Sequence, residues 1–380
     1  MVGTVVPPAE DLRSGVGIGF IGAGNVLPAY LQVLDRLTPR GLAWLGPVCA
    51  RRLDSWDRLR THRPGIDLVA EAGPVLDSDI DIVVIITPPQ THAELARLAL
   101  ERGKHVVCEK PVAMSRAEAE PIFALAAERG LHLMAAPFVQ LSPTLRDLWT
   151  RISDGAIGHV HSARGLYGNP GSTWATWFHT GGVGPMAEAG VYNLKSLTCL
   201  LGPVTEVFAA EAVAFSSRTA DGVVIDDPDP DVSHVVLRHE AGALSSVVAS
   251  QAIQRYRRPA IELYGAEGTA NLLGDDWDPT GFELWRNQRG SWELFEPLDS
   301  TWLWADGLRE LVMATFEQRA PLAHPDQDLH LLEVLDAARL SAHKGMPVQV
   351  YSRHAMPDLR LDLGSSRHHL HDHTRPADEQ

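Results

Sequence analysis

Cysteine is scarce in this chain: Cys49, Cys108 and Cys199 stand far apart, with no CxxC or other metal-ligand spacing. That excludes a disulfide scaffold and a thiolate metal centre, so no metal is expected and reduced thiols in a cytoplasmic protein are the expected state. Basic residues are also in deficit, 33 Lys and Arg against 48 Asp and Glu, for a net charge of −15. Nucleic acid and anionic membrane both demand a basic face, so neither is expected as the main partner. A local basic pocket for one phosphate is still allowed. No apolar run approaches the ~20 residues of a membrane span. The opening "MVGTVVPPAEDLRSG" lacks a basic segment followed by a long apolar run, so no signal peptide is expected. Internal repeats and a G-x-x-x-x-G-K-[ST] loop are missing too, which removes solenoids and P-loop nucleotidases.

What the chain does have is 380 residues, 45% apolar and 21% charged. That is the balance of a globular protein too long for one ordinary core, so two domains are expected. Residues 1–14 read as a flexible leader. From 15 to 138, short apolar runs alternate with amphipathic ones. "VGIGFIG" reads as a buried strand and "NVLPAYLQVLDRL" as a helix with Pro28 in its first turn. "LAWLGPVCA" reads as a strand weakened by Pro47, and "DIDIVVIITPP" as one stopped by two prolines. "THAELARLALERG" is a helix with Thr91 as N-cap and Gly103 at its end, and Ser115 to Gly130 is another capped helix. "KHVVCEKP" and "LHLMAAP" supply further strands. Strands alternating with helices in this way predict a parallel sheet covered on both faces, an α/β Rossmann-type domain.

From 139 to 352 the texture changes. "VFAAEAVAF", "SHVVLRHE", "ALSSVVASQAI", "AIELYGAEG", "FELWRN" and "SWELFEPL" alternate polar and apolar between Gly, Asp and Pro turns. They predict an α+β domain with a large, mostly antiparallel open sheet, one face solvated or covered by a subunit. "GLRELVMATFEQ" and "DLHLLEVLDAARLSAHKG" read as late helices. Residues 353–380 read as a polar, His-rich, disordered tail, and "DDPDPD" (226–231) as a solvated loop without calcium-loop spacing.

In "GFIGAGNVLPAY" a G-x-G stands at Gly22 and Gly24, directly after a strand and before a helix. Gly22 suits the tight turn. Gly24 lets bare backbone approach a pyrophosphate facing the helix N-terminus, with Ala23, Asn25 and Val26 completing the loop. Leu27 replaces the third glycine of the dinucleotide fingerprint. The second strand ends in "VCARRLD", with Ala50 where an acid would grip a ribose 2′-hydroxyl and Arg51 and Arg52 next to it. Two guanidinium groups there suit a 2′-phosphate, so NADP is expected with NAD as the alternative.

"TPPQTH", "GKHVVCEKP", "GGVGPMAEAGVYNL" and "LEVLDAARLSAHKGMPVQV" resemble the Gfo/Idh/MocA oxidoreductases over roughly residues 16 to 350. The resemblance implies NAD(P)-dependent oxidation or reduction of a sugar, polyol or related carbinol. It also implies homodimers or homotetramers joined through the C-terminal sheet. It assigns Thr87, Pro88 and His92 to the wall of the cofactor cleft, and Glu109, Lys110 and Pro111 to the EKP signature, whose lysine touches the reacting hydroxyl. The family's usual G-G-x-x-x-x-D-x-G-x-H segment carries Glu188 in place of Asp and Tyr192 in place of His, similar to a branch with tyrosine there.

Hydride transfer from a carbinol needs a group that takes the hydroxyl proton. Burial and an oxidised nicotinamide ring both lower a lysine pKa, so Lys110 is tuned in the useful direction. A Lys110–Tyr192 acid–base pair is expected, with the ammonium lowering the phenol's pKa and Glu188, four residues earlier, facing the same cleft. In "GNPGSTWATWFHTGG", Trp174, Trp177 and His179 are expected to form a substrate wall, since aromatic faces stack on sugar C–H faces. Two other readings stay open: a redox-neutral lyase or hydrolase that uses its cofactor transiently, and a cofactor-binding regulator without catalysis.

Overall fold

The computed structural model describes residues 15–360 apart from 258 and 323. The leader 1–14 and the tail from 361 onward lie outside the described residues. The first half runs β1 (Val16–Ile21), α1 (Leu27–Leu37), β2 (Ala43–Cys49), α2 (Leu53–His62), β3 (Leu68–Val69), α3 (Gly73–Leu76), β4 (Ile82–Ile85), α4 (His92–Glu101), β5 (His105–Cys108), α5 (Arg116–Glu128) and β6 (Leu133–Ala135). Its strands form one parallel sheet in the order β3-β2-β1-β4-β5-β6. The central strands are buried along their whole length because helices cover both faces. Pro47 is tolerated in β2 at a break in register, between the pairs Ile18–Leu45 and Phe20–Val48, where a missing N–H breaks no regular ladder bond. The order reverses between β1 and β4, and in open α/β sheets ligands bind beyond the carboxyl ends of the strands at that switch.

The second half begins with α6 (Pro143–Ser153) and β7 (Val160–Gly168). A π-helical turn, Met186–Gly190, leads into α7 (Val191–Leu201). Then come β8 (Val204–Ala212), β9 (Ser217–Ala220), β10 (Val223–Asp226), β11 (Val232–His239), β12 (Leu244–Ser250), β13 (Ile261–Gly265), β14 (Gly268–Asp275), β15 (Asp278–Arg286), β16 (Ser291–Phe295), α8 (Gly307–Phe316), α9 (Pro325–Lys344) and β17 (Val348–Gln349). Nine strands form a sheet ordered β16-β15-β14-β13-β7-β12-β11-β8-β17, antiparallel except where β12 pairs with β7. Strand β11 alternates buried and exposed positions, as a strand with one covered face must. The π-turn and α7 pack on the covered face against β7 and β12.

The structure adds one feature to the expected organisation and changes two other expectations. The domain split at 138/139 is crossed by α8, whose Leu308, Leu311 and Val312 join Phe20, Leu27, Val84 and Met134 in the core of the parallel sheet. Hydrophobic burial drives the return: α8 supplies an apolar face that the sheet would otherwise leave wet. Residues 353–360 are part of the body and not of a free tail, because Arg146 donates to the Leu359 and Arg360 carbonyls and Leu359 is buried. In "DDPDPD", Asp226 and Asp227 are exposed as a solvated loop requires, but Asp231 is buried and ion-paired to Arg218, and Asp229 accepts from the Gly182 amide, so the end of the loop is braced against its neighbours.

Candidate active site at the carboxyl edge of the parallel sheet

The glycine loop sits at the switch point. Gly22 has φ +112°, and a Cβ there would lie 2.6 Å from the Ile86 carbonyl oxygen, beyond the end of β4. Only glycine lets β1 and β4 approach so closely. A Cβ on Gly24 would meet nothing within 4 Å, so its backbone faces open space. Val26 precedes α1 and no side chain caps the helix. Leu27 is fully buried in the core under the helix, so the position of the third glycine is filled by packing. An open backbone loop, a glycine without room for a side chain and an uncapped helix N-terminus fit a dinucleotide's pyrophosphate. Arg51 and Arg52 are exposed just past the end of β2, beside Ala50.

Lys110 stands at the same edge, two residues past β5. Glu109 is buried and held by its own partners: the Tyr30 hydroxyl donates to Oε1 at 2.8 Å, and the Lys110 amide donates to Oε2 at 3.1 Å. Lys110 Nζ turns away from it. It donates to Glu188 Oε1 at 2.9 Å and also to the Glu188 backbone carbonyl. The two side chains are only 13% and 14% exposed, so the pair is largely shielded from water. Glu188 Oε2 is buried and has no hydrogen-bond partner among the described residues. The π-turn is what brings both the carbonyl and the carboxylate of Glu188 to one ammonium.

Tyr192 joins this pair, with Lys110 Nζ 5.3 Å from its ring centre. The expected lowering of its pKa is not what the surroundings produce. Burial first, then the Glu109 and Glu188 carboxylates, push the phenol well above its ordinary value. Tyr192 is therefore a neutral hydroxyl. It packs between Tyr167, at 6.3 Å and nearly parallel, and Trp277 at 6.5 Å.

His92 is buried with Nδ1 2.7 Å from the Pro111 carbonyl and Nε2 2.7 Å from the Thr87 carbonyl. It ties the loop after β4 to the loop after β5, and desolvation holds its pKa below the ordinary histidine value. Thr87 shares a hydroxyl bond of 2.7 Å with Thr91, and Pro88 accepts from Thr91. Trp174 is half exposed and makes edge contacts with Trp177 and with Phe178, which the sequence reading passed over. Trp177 stacks on Phe178 at 3.9 Å. His179 departs from the expected wall: its ring is buried, with Nε2 2.8 Å from the Ser172 carbonyl, and it braces the loop from inside. Tyr30, Tyr167 and Trp277 were also passed over. Only Tyr30 carried a signal, a hydroxyl on an otherwise apolar helix face.

A doubly wound parallel sheet with a bare glycine loop, joined to an open mixed sheet and carrying a shielded lysine at the shared edge, defines a dinucleotide-dependent oxidoreductase. Family models agree: "Oxidoreductase family, NAD-binding Rossmann fold" matches residues 16–136, and "GFO/IDH/MocA C-terminal domain" matches 145–271. The chain belongs to the Gfo/Idh/MocA oxidoreductase family. It is 30% identical over 277 residues to the dTDP-3,4-didehydro-2,6-dideoxy-α-D-glucose 3-reductase of Streptomyces antibioticus, covering 70% of this chain and 76% of that one. It is 28% identical over 294 residues to levoglucosan dehydrogenase of Pseudarthrobacter phenanthrenivorans, covering 68% and 73%. A solved levoglucosan dehydrogenase complex with NADH and L-sorbose shares the fold at TM-score 0.79, covering 90% of this chain and 100% of that one at 19% identity. Among the described residues no helix is long and apolar enough to cross a membrane, and no group of three metal-ligating side chains is found.

Proposed function

We propose that this chain interconverts a sugar, polyol or related carbinol and its ketone at the expense of a nicotinamide dinucleotide. The observation that carries the reading is the shielded Lys110–Glu188 pair at the same sheet edge as the Gly22–Gly24 loop. The loop from Gly22 to Val26 would hold the pyrophosphate, and Thr87, Pro88, His92 and Glu109 would wall the cleft. When bound, the nicotinamide supplies the hydride acceptor or donor.

In the oxidative direction Lys110 passes a proton to Glu188, and its free amine takes the substrate hydroxyl proton as the carbinol C–H electron pair departs. In reduction the same proton returns to the forming alkoxide. Tyr192, neutral throughout, donates a hydrogen bond to a substrate oxygen. Trp174 and Trp177 offer apolar faces to the sugar ring. Arg51 and Arg52 favour NADP over NAD, because an exposed guanidinium pair matches a 2′-phosphate in charge and geometry. Phe208 and Val236 are an exposed cross-strand pair on the open sheet, which supports pairing of that face with a second copy.

The test is a titration of the purified chain with NADPH and with NADH by fluorescence, followed by a screen of sugars and polyols for absorbance change at the nicotinamide band. Cofactor binding with turnover supports the reading. Binding without turnover on a broad panel would favour a regulator.

A further inference from the structure

Beyond the aromatic pair Tyr192–Tyr167 the structure has a cavity of 590 Å³. Tyr167 forms its inner wall; Arg255, Tyr256, Arg257 and Asp275 contribute the polar lining at the ends of β12 and β14. Tyr167 stacks on Tyr192 at 6.3 Å, and the Tyr192 ring centre lies 5.3 Å from Lys110 Nζ, so a stack of two rings runs from the cavity to the lysine. The volume is that of a small-ligand site.

Charge sets its preference. The chain as a whole is acidic, at −15, yet the charged side chains lining this cavity are two arginines and one aspartate. The aspartate is engaged, since the Tyr256 hydroxyl donates to Asp275 Oδ1 at 2.8 Å. Arg255 and Arg257 make no ion pair or hydrogen bond with any described residue, whereas Arg218, Arg319 and Arg353 are each tied to a carboxylate. Both arginines are exposed beside the cavity, and each guanidinium offers the forked donors that carboxylates and phosphoryl groups accept.

We propose that this cavity is the subsite for the anionic end of the substrate, so that the chain acts on sugars bearing a carboxylate or a phosphoryl group in preference to neutral ones. The proposal rests on the reading of the chain as a carbohydrate oxidoreductase and names the substrate class of that site.

The experiment compares kcat/KM for matched neutral and anionic sugars, with glucose, glucuronate and glucose 6-phosphate as the first set, in the parent and in Arg255→Ala/Arg257→Ala. Binding of the two anionic probes is followed in parallel by calorimetry, and dissociation constants for the nicotinamide cofactor check that the cleft is intact. The expected result is a parent preference for one anionic probe, and an anionic-to-neutral ratio about 10- to 100-fold lower in the double variant, expressed mainly in KM. Whichever probe loses more identifies the group as carboxylate or phosphoryl. A ratio that does not move overturns the subsite while the redox reading stands. Loss of anionic-probe binding in the variant without turnover of any sugar by the parent leaves the subsite standing and removes the redox reading. Neither turnover nor probe binding overturns both.

Discussion

Lys110 is bonded to Glu188, 78 residues away in sequence, and not to Glu109 beside it. The neighbouring carboxylate is already occupied by the Tyr30 hydroxyl and the Lys110 amide, so the ammonium is left to the π-turn of the second domain. The parallel sheet thus supplies the lysine and the second domain supplies the carboxylate bonded to it.

Replacing Lys110 by Met should lower kcat/KM about 100- to 10,000-fold, the range for loss of a general acid–base. The cofactor dissociation constant should stay near the parent value, since the pyrophosphate loop is untouched. Glu188→Gln should give a smaller loss, because the amide still accepts from the ammonium without taking its proton. Steady-state kinetics beside a fluorescence titration separates the two effects. Parent-like turnover in Lys110→Met would discard the proton assignment.

Tyr192 gives a different signature. Its phenol is held well above the ordinary tyrosine range by burial and by Glu109 and Glu188, so it stays protonated across any practical assay pH. Tyr192→Phe should cost about tenfold in kcat/KM, the value of one hydrogen bond, and leave the shape of the pH–rate profile unchanged. A limb that disappears from the profile on this substitution would make Tyr192 a titrating base and contradict its environment.

The two glycines of the loop should fail in different ways. Gly22→Ala forces a Cβ to 2.6 Å from the Ile86 carbonyl in a positive-φ conformation, so the fold itself should lose about 1–3 kcal/mol. Gly24→Ala meets no protein atom, so its melting temperature without ligand should match the parent. Its added methyl occupies the space a pyrophosphate needs, and the melting-temperature rise produced by NADH or NADPH should shrink. Thermal denaturation with and without dinucleotide reads both.

The parallel sheet was legible in the sequence because its strands are buried on both faces and therefore apolar without interruption, as in Ile82–Ile85. The glycine loop was legible because backbone needs no side chain to be recognised. The return of α8 to that sheet was not, since its apolar face is the same whichever core it joins. Lys110 could be picked out by its EKP context, but its partner could not: a π-turn has no sequence signature, and it decides that Glu188 turns toward the lysine. The direction of the Tyr192 shift is not legible in sequence, because burial, its largest cause, belongs to the fold, and it acts with the Glu109 and Glu188 carboxylates against the nearby ammonium.

Asp276 offers a test of the packing behind the site. Its carboxyl is buried under α7, where Asn193 Nδ2 and Ser196 Oγ each donate to Oδ2 at 3.0 Å, while Oδ1 has no partner among the described residues. Desolvation is the main cause that raises its pKa from 3.8 to about 7. A carboxyl whose folded pKa lies above its unfolded one binds a proton in the folded state that the unfolded chain has released. Its contribution to stability is therefore present at low pH and is lost as pH rises from about 4 through about 7. Asp276→Asn stays neutral at every pH and keeps an acceptor for Asn193 and Ser196. The melting temperature of the variant relative to the parent should therefore increase between about pH 5 and about pH 8, the other titrating groups cancelling in the difference. A difference that stays flat over that interval would mean that Asp276 is already ionised in the folded chain, with its charge met by something other than these two donors.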